Sequence, residues 1–480
     1  MLRSWLLCVC LIATAPLVGA ERPNVLFIAV DDLNHWVGHL HRNEQTRTPN
    51  IDRLARQGVT FTAANCAAPV CNPSRAALMS GLRPSTSGVY DNGQDWKLAI
   101  PEEQTLTTQF LNAGYNVYGA GKIYHSQDHR ESEWTEYFSK DGGSGLKLDA
   151  SASGDGVGGI KFGPLANPDE DLPDYKVTTY ALEQLNRNHD KPFFLAVGYV
   201  KPHMPFSVPK KYFDKFPLDR IELPPTKPGD LDDIPAAGVA MAKPNGDHKQ
   251  ILESGRWKDA LQAYLATINF MDGQLGRLLD GFEQSTYRDN TIIVFWSDHG
   301  WHLGEKEHWR KFALWEEAAR TVFIWKVPGV TQPNQRCDRP VDFMSIYPTL
   351  CDLCGVEMPA HVEGSNIRPL LVNPQATWEV PALTTFHQNN HSFRSEQWRY
   401  IRYADGSEEL YNHDNDPYEW SNVAGDPNYA SVKTELQKFI PDVNAAERPR
   451  SGGGKAGSPS KGKGKGKSAA QKRKATPQSK

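Results

Sequence analysis

The sequence predicts an α/β fold, on three observations. Apolar runs such as PNVLFIAV (23–30) and TIIVFWS (291–297) lack the polar alternation of a strand with one wet face, so they read as strands buried on both sides. Stretches of helical periodicity separate them, the alternation typical of an α/β domain. The chain has 480 residues, 39% hydrophobic and 23% charged, enough for a large core and two subdomains of ordinary globular protein.

Residues 1–20 stand apart from this pattern. MLR is basic, SWLLCVCLIATAPLVGA is apolar, and Val18-Gly19-Ala20 offers small residues for cleavage, which describes a secretory signal peptide and not a membrane anchor. Cys10 lacks the small residues that precede a lipid-modified cysteine. The mature chain is expected to begin near Glu21 and to be secreted or periplasmic. Five cysteines then remain: Cys66, Cys71, Cys337, Cys351 and Cys354. An odd number in an exported protein leaves at least one unpaired. Cys351 and Cys354 read as core residues or one strained pair, since no second CxxC follows to complete a zinc site.

The first strand ends abruptly in Asp31-Asp32, and the run at 291–297 ends in Asp298-His299-Gly300. Further strands are predicted at 115–121, 192–200 and 320–327. Ligand sites of parallel sheets gather beyond the carboxyl ends of the strands. Either acidic pair alone would read as a helix cap. Together they bring three carboxylates and a histidine to one edge, and that much charge implies a divalent cation.

In PVCNPSRAALMSGL (69–82), Asn72 reads as an N-cap, Pro73 as the first helical residue, and SRAALMSGL as the helix. Cys71 then lies at a positive helix end that favours anions and thiolates, one turn from Arg75. That placement suits a nucleophile facing an anionic substrate. A buried small cysteine before a helix is the plainer reading. Gly154, Gly156 and Gly159 satisfy G-x-G-x-x-G, but no apolar strand precedes them and Pro164 follows, so a dinucleotide loop is not expected. Residues 141–164 read instead as a flexible insertion. DHGWHLGEKEH (298–308) is not H-E-x-x-H, so a zinc protease is not expected either.

Cys71-Asn72-Pro73-Ser74-Arg75, with Gly81 and Pro84 downstream, resembles the C-x-P-S-R signature of the formylglycine-dependent sulfatases. The likeness spans about residues 22–430. Asp31 and Asp32 fall at the family's first two metal ligands, and Asp298 and His299 at the second pair. GKIYH supplies Lys122 and His125, KPHMPF supplies His203, and Lys311 follows HGWHLGEKEHWR. ELYNHDNDPYEWSNVA (409–424) resembles the family's closing block. His299 stands where most members carry Asn. With KPHMPF and RPSTSGVYDNGQDW, it is similar to the iduronate-2-sulfatase branch. Asn72 replaces the commoner Thr of the signature.

The resemblance implies an alkaline-phosphatase-like domain with a mixed, mostly parallel sheet over 21–355. It also implies a smaller α+β subdomain over 356–446, closed by a helix at 431–440 with an apolar stripe of Val432, Leu436, Phe439 and Ile440. A maturation enzyme would oxidise Cys71 to formylglycine, whose hydrate attacks sulfur. One divalent metal, Ca2+ by family habit, would be held by Asp31, Asp32, Asp298, His299 and the modified Cys71. An imidazole is softer than calcium's usual oxygen ligands. Lys122 and Lys311 would bind sulfate, Arg75 would steady the hydrated aldehyde, His203 would protonate the leaving oxygen and His125 would remove the second hydroxyl proton. His302 and His308 read as structural, and Trp301 reads equally as a sugar-stacking wall or as core. The substrate implied is a sulfated glycan, a 2-O-sulfated uronic acid or related sugar. The alternatives are a phosphodiesterase or phosphonate monoester hydrolase, a choline-sulfatase-like specificity, or an inactive glycan-binding homologue.

Residues 447–480 form a basic tail expected to be disordered. Its stretch 451–480 carries nine Lys or Arg and no acid. With those nine set aside, the chain's 53 basic and 57 acidic residues leave the body near −13. A nucleic-acid partner is not expected; a solvated tail is the plainest reading, with contact to a polyanion or the cell envelope as the other.

Overall fold

A computed structural model describes residues 22–125, 129–139 and 145–450. The proposed signal peptide and the stretch 451–480 lie outside the described residues. The apolar runs form the middle of an eight-stranded sheet. Its strands are β1 (Asn24–Asp31), β2 (Val59–Phe61), β3 (Asn116–Gly121), β4 (Glu136–Phe138), β5 (Phe193–Pro202), β6 (Thr291–Ser297), β7 (Phe323–Lys326) and β8 (Gln335–Cys337). Their order across the sheet is β8-β2-β7-β6-β1-β5-β3-β4. Only β7 runs against its neighbours, so the sheet is mixed and mostly parallel.

Every residue of β1 is buried. Val25, Phe27 and Ala29 pack on the side of α1 (Cys71–Ser80), and Leu26, Ile28 and Val30 on the side of α2 (Pro173–Asn186) and α3 (Trp257–Gln284). This two-sided burial is why the run shows no alternation. Helix α3 places Leu261, Leu265, Ile268, Leu275 and Leu279 on the sheet at helical spacing. Helix α4 (Ile346–Cys354) joins the α1 layer, where Cys351 and Cys354 are core thiols. All five cysteines from Cys66 to Cys354 are free and buried.

The smaller subdomain is an antiparallel meander of β9 (Ala382–Thr385), β10 (His391–Arg394), β11 (Trp398–Arg402) and β12 (Glu408–Asn412). Helix α5 (Ala430–Gln437) packs Leu436 against Phe393, Tyr400 and Leu410, with Val432 and Ile440 partly buried. Phe439, expected on that stripe, is exposed because the helix ends before it. Two other expectations are corrected, and the open reading of Trp301 is decided. Residues 145–164 are not a loose insertion: Ile160 and Phe162 are core residues, and Phe162 bridges Phe206. Trp301 is core and not an exposed wall, with its ring edge-on to Phe206 at 5.7 Å. Residues 447–450 do not start a free tail, because Arg448 and Arg450 bond to the large domain.

Candidate active site

Four consecutive parallel strands deliver residues to one edge of the sheet. β6 ends at Asp298-His299, β1 at Asp31-Asp32, β5 at His203, and β3 at Lys122 with His125. Val30 pairs with Ser297, so the two acidic pairs emerge at the same level. Asp32 turns into the left-handed region at φ 62°, which a short polar side chain tolerates. The Tyr264 hydroxyl, from α3, donates to the Asp32 carbonyl at 2.7 Å and accepts from the Asn34 amide at 3.0 Å, holding that kink.

Lys122 reaches the edge through a close approach of two glycines. Gly121 and Gly198 pair across β3 and β5. A Cβ at Gly121 would lie 2.1 Å from the Gly198 carbonyl oxygen, and one at Gly198 would lie 2.4 Å from the Lys122 backbone. Only glycine fits there.

Cys71 is the first residue of α1 and is fully buried. The helix thus starts two residues earlier than the cap reading, with Val70 and not Asn72 at the cap position. The Asn72 side chain donates to the carbonyls of Asp91 at 2.9 Å and Gln94 at 2.8 Å, and its amide donates to Asn92 Oδ1 at 2.9 Å. Asn72 therefore fastens the motif to the 91–94 loop. Around Cys71 Sγ stand Lys311 Nζ at 2.8 Å, His299 Nε2 at 3.3 Å and Asp31 Oδ1 at 3.4 Å. Burial, and then Asp31, push the thiol up to about 12, so the unmodified cysteine is a neutral thiol and not the thiolate that its helix end suggested.

Arg75 spends its donors on the scaffold. Nε donates to Asp298 Oδ2 at 2.8 Å, Nη2 to the Val30 carbonyl at 3.0 Å, and Nη1 to the carbonyls of Lys122 and Ile123. One guanidinium thus ties the ends of β1, β3 and β6. Lys122 pairs with Asp31, and Lys311 Nζ lies 2.7 Å from Asp32 Oδ1. Each carboxylate of the cluster has its own cation, so the charge count that implied a metal from sequence does not by itself require one. Burial alone would raise both Asp31 and Asp32. The neighbouring ammonium groups, Lys122 foremost at Asp31 and Lys311 foremost at Asp32, outweigh it and hold both below the usual carboxylate range. Burial also works against the charge on both lysines, but the aspartates prevail and raise Lys122 and Lys311.

The donor set itself fits a cation. Ligand atoms of Asp31, Asp32, Cys71 and His299 all lie within 4.8 Å of one another. Asp32 Oδ2 is buried without a hydrogen-bond partner. His299 Nδ1 lies 3.0 Å from the Gly300 carbonyl, which accepts the Nδ1–H hydrogen bond and so leaves the Nε2 lone pair facing the group. Asp298 stands at the rim of this set, its Oδ1 3.6 Å from His299 Nε2 and its Oδ2 held by Arg75.

Two histidines border the cluster. His203 is 34% exposed, with Nε2 3.8 Å from Asp32 Oδ2 and Nδ1 2.6 Å from the Met204 carbonyl. His125 is half-buried, and burial together with Lys122 lowers it to about 3, which keeps it neutral. His302 and His308 are buried and bonded to backbone carbonyls, as structural histidines are. Sequence reasoning missed Phe312. It is half-buried at φ 73°, a conformation rare for an aromatic residue, and its ring centre lies 5.9 Å from Lys311 Nζ. No local signal announces such a backbone.

The chain belongs to the sulfatase family, whose sequence profile matches residues 23–356. A second profile, N-sulphoglucosamine sulphohydrolase, C-terminal, matches residues 304–446. The protein is thus an enzyme of the sulfuric ester hydrolase class, with the alkaline-phosphatase-like fold and a C-terminal subdomain. It is 38% identical over 447 residues to a sulfatase of Formosa agariphila, covering 88% of this chain and 87% of that one. It is 30% identical over 389 residues to human iduronate 2-sulfatase, covering 70% of each. The phosphonate monoester hydrolase of Agrobacterium radiobacter superposes with a TM-score of 0.74 at 21% identity, over 87% of this chain and 94% of that one, a likeness of fold alone.

Proposed function

We propose that the protein is an exported sulfatase that removes sulfate from a glycan, with a 2-O-sulfated uronic acid or a related sugar as the sulfated unit. The observation that carries this reading is the position of Cys71 in its C-N-P-S-R motif, with Lys311, His299 and Asp31 all within 3.4 Å of Sγ. The similarity to human iduronate 2-sulfatase supports the sugar. Cys71, oxidised to formylglycine by a maturation enzyme, would supply the nucleophile. A divalent cation, calcium by the family's habit, held by Asp31, Asp32, Asp298 and His299, would supply the positive charge that polarises sulfate oxygens.

The chain's own residues do the rest. Lys122 and Lys311, kept charged by the aspartates, bind the sulfate oxygens. Arg75 is a positioning residue, since its nitrogens are engaged by Asp298 and three carbonyls. His203, partly open to solvent, protonates the leaving sugar oxygen. His125, neutral, takes the proton whose loss precedes sulfate release. Phe312 offers the leaving sugar an apolar face beside Lys311.

The test is the mass of the Cys71 peptide from protein exported by its native host, followed by sulfate release from sulfated disaccharides. A formylglycine mass and turnover of a 2-O-sulfated uronide are expected. An unmodified thiol in native protein would overturn the nucleophile. Faster turnover of a phosphonate monoester than of its matched sulfate ester would overturn the sulfatase reading.

A further inference from the structure

The turn that carries His203 is held by a buried cation. Strand β5 runs out through Lys201-Pro202 into His203-Met204-Pro205. That turn sits at the surface, with His203 and Met204 half-buried and Pro205 exposed, so side-chain packing does little to fix it. Two charged groups do. Asp174, buried in the first turn of α2, accepts the Val200 amide on Oδ1 and the Lys201 amide on Oδ2, each at 2.8 Å. The Lys201 side chain, also buried, folds back over the turn. Its Nζ donates to the His203 carbonyl at 3.1 Å and to the Pro205 carbonyl at 2.6 Å.

Between those two carbonyls lies that of Met204, 2.6 Å from His203 Nδ1. A carbonyl oxygen only accepts, so Nδ1 carries the proton of that bond. Nε2 is then the atom turned to the site, 3.8 Å from Asp32 Oδ2. Peptide units are planar, so fixing the units before and after Met204 leaves its own carbonyl little room to turn. The ring depends on one carbonyl, and that carbonyl depends on Lys201. Burial pulls Lys201 down to about 8, while Asp174, foremost among the nearby carboxylates, pulls it up, so it is a charged donor at neutral pH. Charged donors make the stronger bonds to oxygen.

We propose that Lys201 is a positioning residue for His203: by gripping the carbonyls on either side of Met204, it fixes the Nδ1 proton and aims Nε2 at the leaving oxygen. This rests on the sulfatase reading. As the incoming oxygen bonds to sulfur, the sulfur–oxygen bond to the sugar breaks and leaves its electron pair on the sugar oxygen. The Nε2 proton of the His203 imidazolium moves to that oxygen, and the ring keeps its Nδ1 proton on the Met204 carbonyl. Without Lys201 the ring is free to turn or to change tautomer, while Lys122 and Lys311 stay where they are.

The experiment measures kcat for the mature full chain and its variants Lys201→Met, His203→Gln and the two combined. The substrates are a 2-O-sulfated uronide disaccharide and 4-nitrophenyl sulfate, whose phenolate leaves without a proton. On the disaccharide, Lys201→Met should lose about 100-fold, within what a general acid contributes. The double variant should be no slower than His203→Gln alone, because the lysine acts only through the histidine. On 4-nitrophenyl sulfate, Lys201→Met should lose less than about threefold. Equal losses on the two substrates, or losses that multiply in the double variant, overturn the assignment and make Lys201 a structural lysine. Should Lys201→Met fail to fold, Lys201→Gln, which keeps a neutral donor, is judged by the same two comparisons. If the parent hydrolyses no sulfate ester, the sulfatase reading fails by itself. NMR of protein isotopically labelled at its histidines alone then judges Lys201 separately. The His203 ring, assigned as the signal missing from His203→Gln, should show the Nδ1–H tautomer in the parent and lose it in Lys201→Met. An unchanged ring signal overturns the assignment.

Discussion

At the carboxyl edge of the sheet, Asp31, Asp32 and Asp298 face Lys122, Lys311 and Arg75. At the joint with the C-terminal subdomain, Glu316 and Glu419 face Arg399, Arg394 and His413. Both are buried clusters of carboxylates with cations, and both bring three or more ligand atoms within 4.8 Å. They differ in what is left over. Glu316 bonds Arg320 through one oxygen and Arg399 through the other. Glu419 Oε1 takes Arg399 Nε at 2.5 Å and His413 Nε2 at 2.9 Å, while Oε2 takes the Glu316 amide at 2.9 Å. Every oxygen there is used. At the sheet edge Asp32 Oδ2 has no hydrogen-bond partner, and two histidines line a rim open to solvent. A saturated cluster locks two parts of the fold, whereas a cluster with an open oxygen and a reachable rim can do chemistry.

The sharpest separation comes from Cys71→Ala. It should cut kcat by about 10⁴-fold or more while the calorimetric melting temperature stays nearly unchanged. The next effect is on metal. Chelation should abolish most turnover and added calcium should restore it, with metal analysis finding one ion per chain. Asp32→Asn should lose that ion, and Glu419→Gln should keep it; a second ion at Glu419 would erase the contrast. Third, Arg399→Ala strands Glu316 and Glu419 as buried charges at a cost of about 3–5 kcal/mol. Melting should drop by several degrees, with kcat per folded molecule within twofold of the parent. A loss of kcat as deep as that of Cys71→Ala would show that the joint is not merely a lock.

The smallest effect is on pH. Burial lowers His302 to about 3 and His391 to about 4. The unfolded chain therefore takes up their protons first as pH falls. Their contribution to stability is present above about 6.5 and is lost as pH drops through the folded values. Melting should be flat above pH 7 and fall by a few degrees toward pH 5, and His391→Gln should reduce that slope. The joint's carboxylates give no such onset. Burial opposes the charge of Glu316 and Glu419, but His413 and Arg399 around the first and Arg399 around the second hold both below the usual range.

Five strands were legible because burial on both faces leaves an unbroken apolar run, and 291–297 matches β6 residue for residue. The two acidic pairs were legible because each such run stops at an aspartate. The reading of Asn72 as a cap failed because its hydrogen bonds go about twenty residues downstream to the 91–94 loop, which no local rule contains. Trp301 could not be placed because a tryptophan after a glycine looks the same in a core or on a wall. Phe206 and the burial of 160–162 decide that position.

From sequence alone came the elements that nearest neighbours dictate: the apolar strands, the residues at their ends, the C-N-P-S-R motif and the charge of the tail. Tertiary structure decided which charges meet. It put Lys122 on Asp31, Lys311 on Asp32 and Arg75 on Asp298, it left Asp32 Oδ2 open, and it carried Arg450 back to Asp91. The reason is range. Burial and backbone preference act within a few residues and leave a mark on local pattern. A charge pair depends on distance in space, and residues 91 to 359 positions apart come within about 3 Å only after the sheet has formed.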